Sequence, residues 1–86
     1  MSTMILVFKK NNALIRTAYG DMTLGEALDV MTKKRRRSLY SVCVPANVEH
    51  SEAYRIRDGH SNSLKAFLRL ANELGYEIQL EDTHAS

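Results

Sequence analysis

The chain has 86 residues, of which 44% are hydrophobic and 26% are charged, and its formal net charge is +2. This composition is ordinary for a globular protein, and the length suits one domain, for which oligomerisation would supplement stability. A single cysteine argues against a disulfide framework or a zinc module.

The first predicted elements are a strand, a tight turn and a second strand. The apolar run MILVF is short and precedes its lysines, so it is expected to be neither a signal peptide nor a membrane span, and a cytoplasmic location is predicted. Strand-forming residues predict strands near 4–9 and across ALIRTAY, joined by the asparagines of NN. Residues 1–20 are therefore assigned to an N-terminal β-strand or hairpin extension, residues 21–82 to the main domain and 83–86 to a flexible tail.

The segment TLGEALDVMTKKRRR predicts a helix near residues 23–35. Thr23 is a candidate N-cap, and Glu26 three residues later completes a capping box. The apolar positions with helical spacing are Leu24, Ala27, Leu28 and Met31. The basic run KKRRR closes the last turn, where cations suit the helix dipole, although five in a row also favour contact with phosphates.

The segment SLYSVCV leaves two interpretations open. Its residue types favour a strand that ends at Pro45, which would make it the centre of a mixed α+β fold. Its spacing instead favours a helix near 38–45, capped by Ser38 and burying Val42, Cys43 and Ala46. Asn47 then suits the left-handed conformation of a tight turn.

A polar helix is predicted near residues 49–57, held by few apolar residues. Val48, Ala53 and Ile56 are expected to point inward, and Gly59 ends the helix. A further helix is predicted near 63–74, with Ser61 or Ser63 as its cap. Its expected apolar stripe is Leu64, Phe67, Leu68, Ala71 and Leu74. Gly75 ends it, and YEIQL alternates like a strand near 76–81.

Two short helices joined by a tight turn resemble the lambda-repressor/Cro-type helix-turn-helix proteins, the XRE family. LGEALDVM resembles the first helix of that family, SLYSVCVPANVE its second helix and turn, and HSEAYRIRDG its recognition helix. SLKAFLRLANELGYEIQL resembles its last helices and a trailing strand. The match covers about two-thirds of the chain. It departs from the family pattern at Leu39, Cys43, Pro45, Asn47 and Arg57, and the N-terminal hairpin lies outside that pattern.

The resemblance implies a mainly α fold: a four- to five-helix domain with short N- and C-terminal β-strands. It implies a sequence-specific transcriptional regulator, expected to be a repressor, that binds a palindromic operator in double-stranded DNA as a homodimer. Phage regulators and antitoxins belong to the same family. The strands MILVF and YEIQL are predicted to pair between subunits, because unpaired edge strands need partners.

The candidate site residues follow from the resemblance and from side-chain chemistry. The residues expected to read bases are His50, Ser51, Glu52 and Arg55. The residues expected to contact phosphates are Lys33, Arg35, Arg36, Arg37, Ser61, Ser63 and Lys65. For each of them, a solvated polar surface is the alternative interpretation.

Catalytic and metal-binding chemistry is not expected. His50, His60 and His84 are too scattered for a metal site, and DGHSNS has no nucleophile elbow. No enzyme activity and no cofactor are predicted. The alternative function is an antitoxin or another protein-interaction module, in which the N-terminal hairpin binds a toxin, a polymerase or another protein partner.

Overall fold

The structure, a computed structural model, describes residues 2–9 and 12–80. Its strands are β1 (Ser2–Lys9), β2 (Asn12–Thr17), β3 (Gly20–Thr23) and β4 (Tyr76–Leu80). Its helices are α1 (Leu24–Arg35), α2 (Leu39–Ala46), α3 (His50–Arg57) and α4 (Leu64–Glu73). The tail predicted at 83–86 lies outside the described residues.

The four strands form one mixed sheet in the order β3-β2-β1-β4. Strands β1, β2 and β3 follow one another antiparallel, and β4 adds to the far side of β1 in parallel. The parallel register places Ser2 opposite Tyr76 and Leu6 opposite Leu80. The first and last described strands are therefore neighbours within one chain.

The predicted fold class, mainly α with short terminal strands, is wrong: four helices pack with a four-stranded mixed sheet in an α/β fold. One reason is β3, whose sequence GDMT contains few strand-forming residues and ends at the helix cap Thr23. The other is β1, which pairs with β2 on one side and β4 on the other. The expectation that MILVF pairs between subunits is therefore wrong as well.

The alternative in which SLYSVCV forms a central strand is also wrong, since Leu39–Ala46 is helical. Ser38 caps this helix by accepting a hydrogen bond of 3.1 Å from the Ser41 amide. The local cap and the apolar spacing together outweigh the strand propensity of the valines. Pro45 lies in the last turn of α2, where the disturbance to helical hydrogen bonding is small.

All four helices contribute to a core on one face of the sheet. Leu6 and Ile15 lie opposite each other on β1 and β2, and both are buried in that core. Because side chains alternate along a strand, Val7 and Leu14 lie on the other face. From the helices, the most deeply buried large side chains are Leu24, Leu28, Met31, Val42, Ile56, Phe67 and Leu70.

The predicted helices begin and end within one residue of those observed. The side-chain caps expected for α1, α2 and α4 are formed, whereas Glu49 at the start of α3 makes no side-chain cap bond. In α1, the Thr23 hydroxyl accepts from the Glu26 amide at 3.1 Å, and the Glu26 carboxylate accepts from the Thr23 amide at 2.9 Å. In α4, Leu68 was wrongly placed in the buried stripe. Its side chain is 40% exposed, and Leu70 is fully buried instead.

Candidate nucleic-acid interface

Helices α2 and α3 are joined by a tight left-handed turn at Asn47. This residue has φ 58° and ψ 46°, as the sequence predicted for a residue of this type. The Asn47 amide donates to the Val44 carbonyl at 3.0 Å, and the Val48 amide donates to the Cys43 carbonyl at 3.0 Å. These bonds satisfy the last carbonyls of α2 and fix the direction in which α3 leaves the turn.

The inner side of α3 is anchored as predicted. Ala53 and Ile56 are almost completely buried, and Val48 before the helix is buried with them. Cys43 of α2 is fully buried, and its thiol lies 3.2 Å from the Leu39 carbonyl. Burial raises the pKa of this thiol above its ordinary value of 9.0. The thiol therefore acts as a small apolar side chain at neutral pH.

Helix α1 touches the C-terminal end of α3 through Gly25, a contact that the sequence analysis missed. A Cβ atom at this position would lie 2.6 Å from the Ile56 carbonyl oxygen and still closer to that of Arg57. Only a glycine permits this approach of the two backbones. Gly25 therefore sets how closely α3 packs on α1.

Ser51 and Arg55, two of the four predicted base-reading residues, are exposed on α3. The Arg55 guanidinium donates one bond of 3.3 Å to the His60 carbonyl oxygen. Glu52 is half-buried and accepts a bond of 2.9 Å from the Ser61 hydroxyl. Of the predicted base-reading side chains, the outer side of α3 thus presents the Ser51 hydroxyl and the Arg55 guanidinium, with the Glu52 carboxylate at its margin, and Arg57 is exposed at the end of the same helix.

His50, the remaining predicted base-reading residue, is half-buried and packs against α2 instead of facing solvent fully. Its ring stacks on Tyr40 with 4.1 Å between ring centroids and 26° between planes. The Nε2 atom of His50 is buried and has no hydrogen-bond partner. This stack joins the first turn of α2 to the first turn of α3, and no local sequence pattern indicated it.

The basic run at the end of α1 divides into two kinds of side chain. Arg35 donates to the Leu74 carbonyl at 2.8 Å and lies over the Tyr76 ring at 4.6 Å. Arg37 forms an ion pair of 3.4 Å with Glu73. These two arginines attach α1 to the end of α4, although Arg35 is still exposed overall, and the Arg36 side chain is exposed as well.

Lys33 is also exposed, with 76% of its side-chain surface accessible, and it forms an ion pair of 2.9 Å with Asp29 one turn earlier. Such an exposed pair contributes little to stability and competes weakly with a phosphate. The predicted cations that project most freely from this end of the molecule are therefore Lys33 and Arg36.

The remaining predicted phosphate contacts lie at the opposite end of α4. Ser63 caps α4 by accepting from the Ala66 amide at 3.4 Å, Ser61 bonds to Glu52, and Lys65 is exposed. The ten residues of α4 separate this group from the basic run, a distance of about 15 Å. The predicted phosphate contacts therefore form two groups instead of one patch.

A groove of about 330 Å³ lies between the helix-turn-helix and the first turns of α4. Asn47, Glu49, Lys65 and Arg69 are among its lining residues. The Arg69 guanidinium donates to the Asn47 carbonyl at 3.3 Å and so supports the turn between α2 and α3. Arg69 was absent from the predicted site, because its position on α4 gave no indication of this distant bond.

Comparison with protein-family models, with curated proteins and with solved structures found no match to this chain. Within residues 2–9 and 12–80, no helix is long and apolar enough to cross a membrane. In that same part of the chain, no group of three or more histidine, cysteine or acidic residues could hold a metal ion.

Proposed function

We propose that this chain is a sequence-specific DNA-binding transcriptional regulator in which α3 enters the major groove. The observation that carries the proposal is the division of α3 into two sides. Ala53 and Ile56 hold its inner side in the core, while Ser51 and Arg55 are exposed on its outer side. This arrangement supports the resemblance to the XRE family that the residues of α2, the turn and α3 carry.

The chemistry of the exposed side suits base edges. The major groove is about 12 Å wide and admits one α-helix, and an arginine can donate two bonds to guanine. The single Arg55 bond to the His60 carbonyl, at 3.3 Å, is long for a guanidinium donor and can be exchanged for a base contact. Ser51 supplies a hydroxyl that can donate or accept. Glu52 reads cytosine only if Ser61 releases its carboxylate.

Phosphate contacts would position this helix without reading sequence. Arg36 and Lys33 from one end of α4, and Lys65 from the other, are exposed cations suited to that task. Arg35 and Arg37 contact the end of α4 and the start of β4, so we assign them to holding α1 in place and not to binding phosphate. Two copies on a palindromic operator would place their α3 helices about 34 Å apart.

Selection from a random duplex library, followed by affinity measurement on the selected site, tests the proposal. We expect the parent chain to enrich one sequence, and Arg55→Ala to lose about 1–3 kcal/mol of preference at one base pair. Arg16→Ala is the matched control, because it removes the same charge from a different part of the molecule. Arg16 follows the core residue Ile15 on β2, so its side chain lies on the face of the sheet opposite to the helices. Thermal melting checks that both variants fold.

If Arg55→Ala has the same affinity as the control Arg16→Ala for every site in the library, α3 does not read sequence. Ile56→Asn shows how a variant that loses the fold, and not the reading surface, behaves in the same assay. It buries an amide where an isoleucine is 1% exposed, so we expect it to unfold the domain and to abolish binding to all sites alike.

A further inference from the structure

The two edges of the sheet differ in how well they could accept another strand. Strand β3 has only four residues, GDMT, and it ends at Thr23, the N-cap of α1. Strand β4 has five residues, YEIQL, and contains no proline or lysine, the residues that usually block an exposed edge. Within the described residues, the outer side of β4 has no strand partner. It is the edge better suited to pairing.

One antiparallel register of β4 with a second copy of itself pairs every residue of the strand. Centred on Ile78, it uses all five residues, with Tyr76 opposite Leu80 and Glu77 opposite Gln79. A register centred on Glu77 would place two carboxylates directly opposite each other, which is destabilising. The Ile78 register also keeps the helices of both copies on the same face of a continuous sheet, since opposite residues share a face.

The surface beside β4 fits a leucine from the second copy. A groove of about 440 Å³ follows this edge between α4 and β4, with Leu68, Tyr76 and Ile78 among its lining residues. The fold also leaves Leu80 64% exposed at the end of the same strand. In the Ile78 register, Leu80 of each copy lies opposite Tyr76 of the other, on the helix-bearing face where the groove opens. One two-fold axis therefore brings both exposed leucines to both open grooves.

We infer that the outer edge of β4 is a homodimer interface, formed by antiparallel β4–β4 pairing about a two-fold axis at Ile78. The interface joins two four-stranded sheets into one of eight strands. It goes beyond the proposed function, because strand pairing requires no nucleic acid, and it can be measured without DNA. It would also supply the dimer that a palindromic operator requires.

Sedimentation of the parent chain and of Leu80→Lys without DNA gives the first test. A single strand pair with two leucine contacts is a small interface, so the parent is studied up to several hundred micromolar. We expect a reversible dimer for the parent and a monomer for Leu80→Lys, which places an ammonium group in the partner's groove. Tyr19→Lys is the matched control, since Tyr19 is fully exposed in the turn between β2 and β3. We expect it to dimerise like the parent.

A parent chain that sediments as a monomer at these concentrations would overturn the inference. A Leu80→Lys variant that dimerises like the parent would overturn it too, because the interface would then lie elsewhere. A monomeric parent that still selects a DNA sequence would remove this interface and leave the proposed function in place.

Oxidative cross-linking gives a second test that is independent of the lysine variants. In the proposed register, Ile78→Cys places two Cβ atoms about 5 Å apart, near the range of a disulfide. Leu80→Cys is the control, because its two thiols would lie about 14 Å apart along the strands. We expect cross-linked dimer from Ile78→Cys alone, although Leu80 is the more exposed residue. Equal cross-linking of both variants, or none of Ile78→Cys, would contradict the register.

Discussion

Gly25 and Ile56 bring the backbones of α1 and α3 into direct contact. A Cβ atom on Gly25 would lie 2.6 Å from the Ile56 carbonyl oxygen, closer than real Cβ contacts come. The neighbouring atoms are backbone atoms, which cannot turn aside as a flexible side chain can. The placement of the proposed DNA-reading helix therefore depends on the absence of one methyl group.

Gly25→Ala should push α3 away from α1. We expect the free energy of unfolding to fall by about 1–3 kcal/mol, as for other insertions into well-packed contacts. Intrinsic helix propensity alone would predict the opposite sign, since alanine is the better helix former. Urea denaturation measures the effect. Lys34→Ala, at an exposed position of the same helix, is the control and should change stability by less than about 0.5 kcal/mol. A Gly25→Ala protein as stable as its parent would contradict this packing.

Tyr40 and His50 should stabilise the helix-turn-helix as a ring pair. We expect Tyr40→Ala to lower the free energy of unfolding by about 0.5–1.5 kcal/mol, and Tyr40→Phe to preserve most of it, because the ring remains. On the selected DNA site, Tyr40→Ala should also weaken binding, since the first turn of α3 loses its support. Denaturation and affinity are measured on the same preparations. Equal losses in both variants would assign the effect to the hydroxyl instead of the ring.

Arg35 and Arg36 are adjacent, but we expect only Arg35 to contribute to the free energy of unfolding. Arg35 bonds to Leu74 and lies over Tyr76, so Arg35→Ala should lower the free energy of unfolding by about 1–2 kcal/mol. Arg36 is exposed, and Arg36→Ala should leave stability within about 0.5 kcal/mol.

The salt dependence of DNA affinity separates the same two arginines. Loss of one phosphate contact reduces the slope of log affinity against log salt by about 0.9, and we expect this for Arg36→Ala. Arg35→Ala should keep the parent's slope under conditions in which it is folded. Each variant serves as the control for the other, and exchanged results would reverse the two assignments.

Cys43 should make stability fall at alkaline pH. Burial raises the pKa of its thiol above 9.0, so the folded chain keeps a proton that the unfolded chain loses. This contribution is fully present below the unfolded pKa and is lost as pH rises through the folded pKa. Urea denaturation of the parent and of Cys43→Ala at neutral pH and at about pH 10 tests it. The parent should lose more stability than the variant between the two, and equal losses would argue against a buried protonated thiol.

Features specified by neighbouring residues were predictable. The capping box of Thr23 and Glu26, the Ser38 cap and the left-handed Asn47 all depend on residues a few positions apart, and all are formed. The buried side of α3 follows from helical spacing in the same way. Local rules therefore sufficed for the helices and for the turn that orients α3.

Features that join distant residues were not predictable from such patterns. The pairing of Ser2 with Tyr76 spans most of the chain, and the bond from Arg35 to the Leu74 carbonyl joins α1 to the end of α4. A run of five cations looks the same in sequence whether its members face solvent or attach two helices. The sheet, the division of the basic run and the Tyr40–His50 stack all depended on tertiary contacts.

The parallel pairing of β1 with β4 also has a consequence for the order of events during synthesis. Residues 2–9 leave the ribosome before residues 76–80, so one side of β1 finds its partner only when β4 has emerged. At 5–20 residues per second, that side stays open for roughly 4–15 s. The two strands are far apart in sequence, so their pairing is also a slow step in refolding. The entropic cost of closing the long loop comes before the contacts that stabilise it can form. The nascent chain is therefore most exposed to aggregation through the open side of β1 before β4 is made.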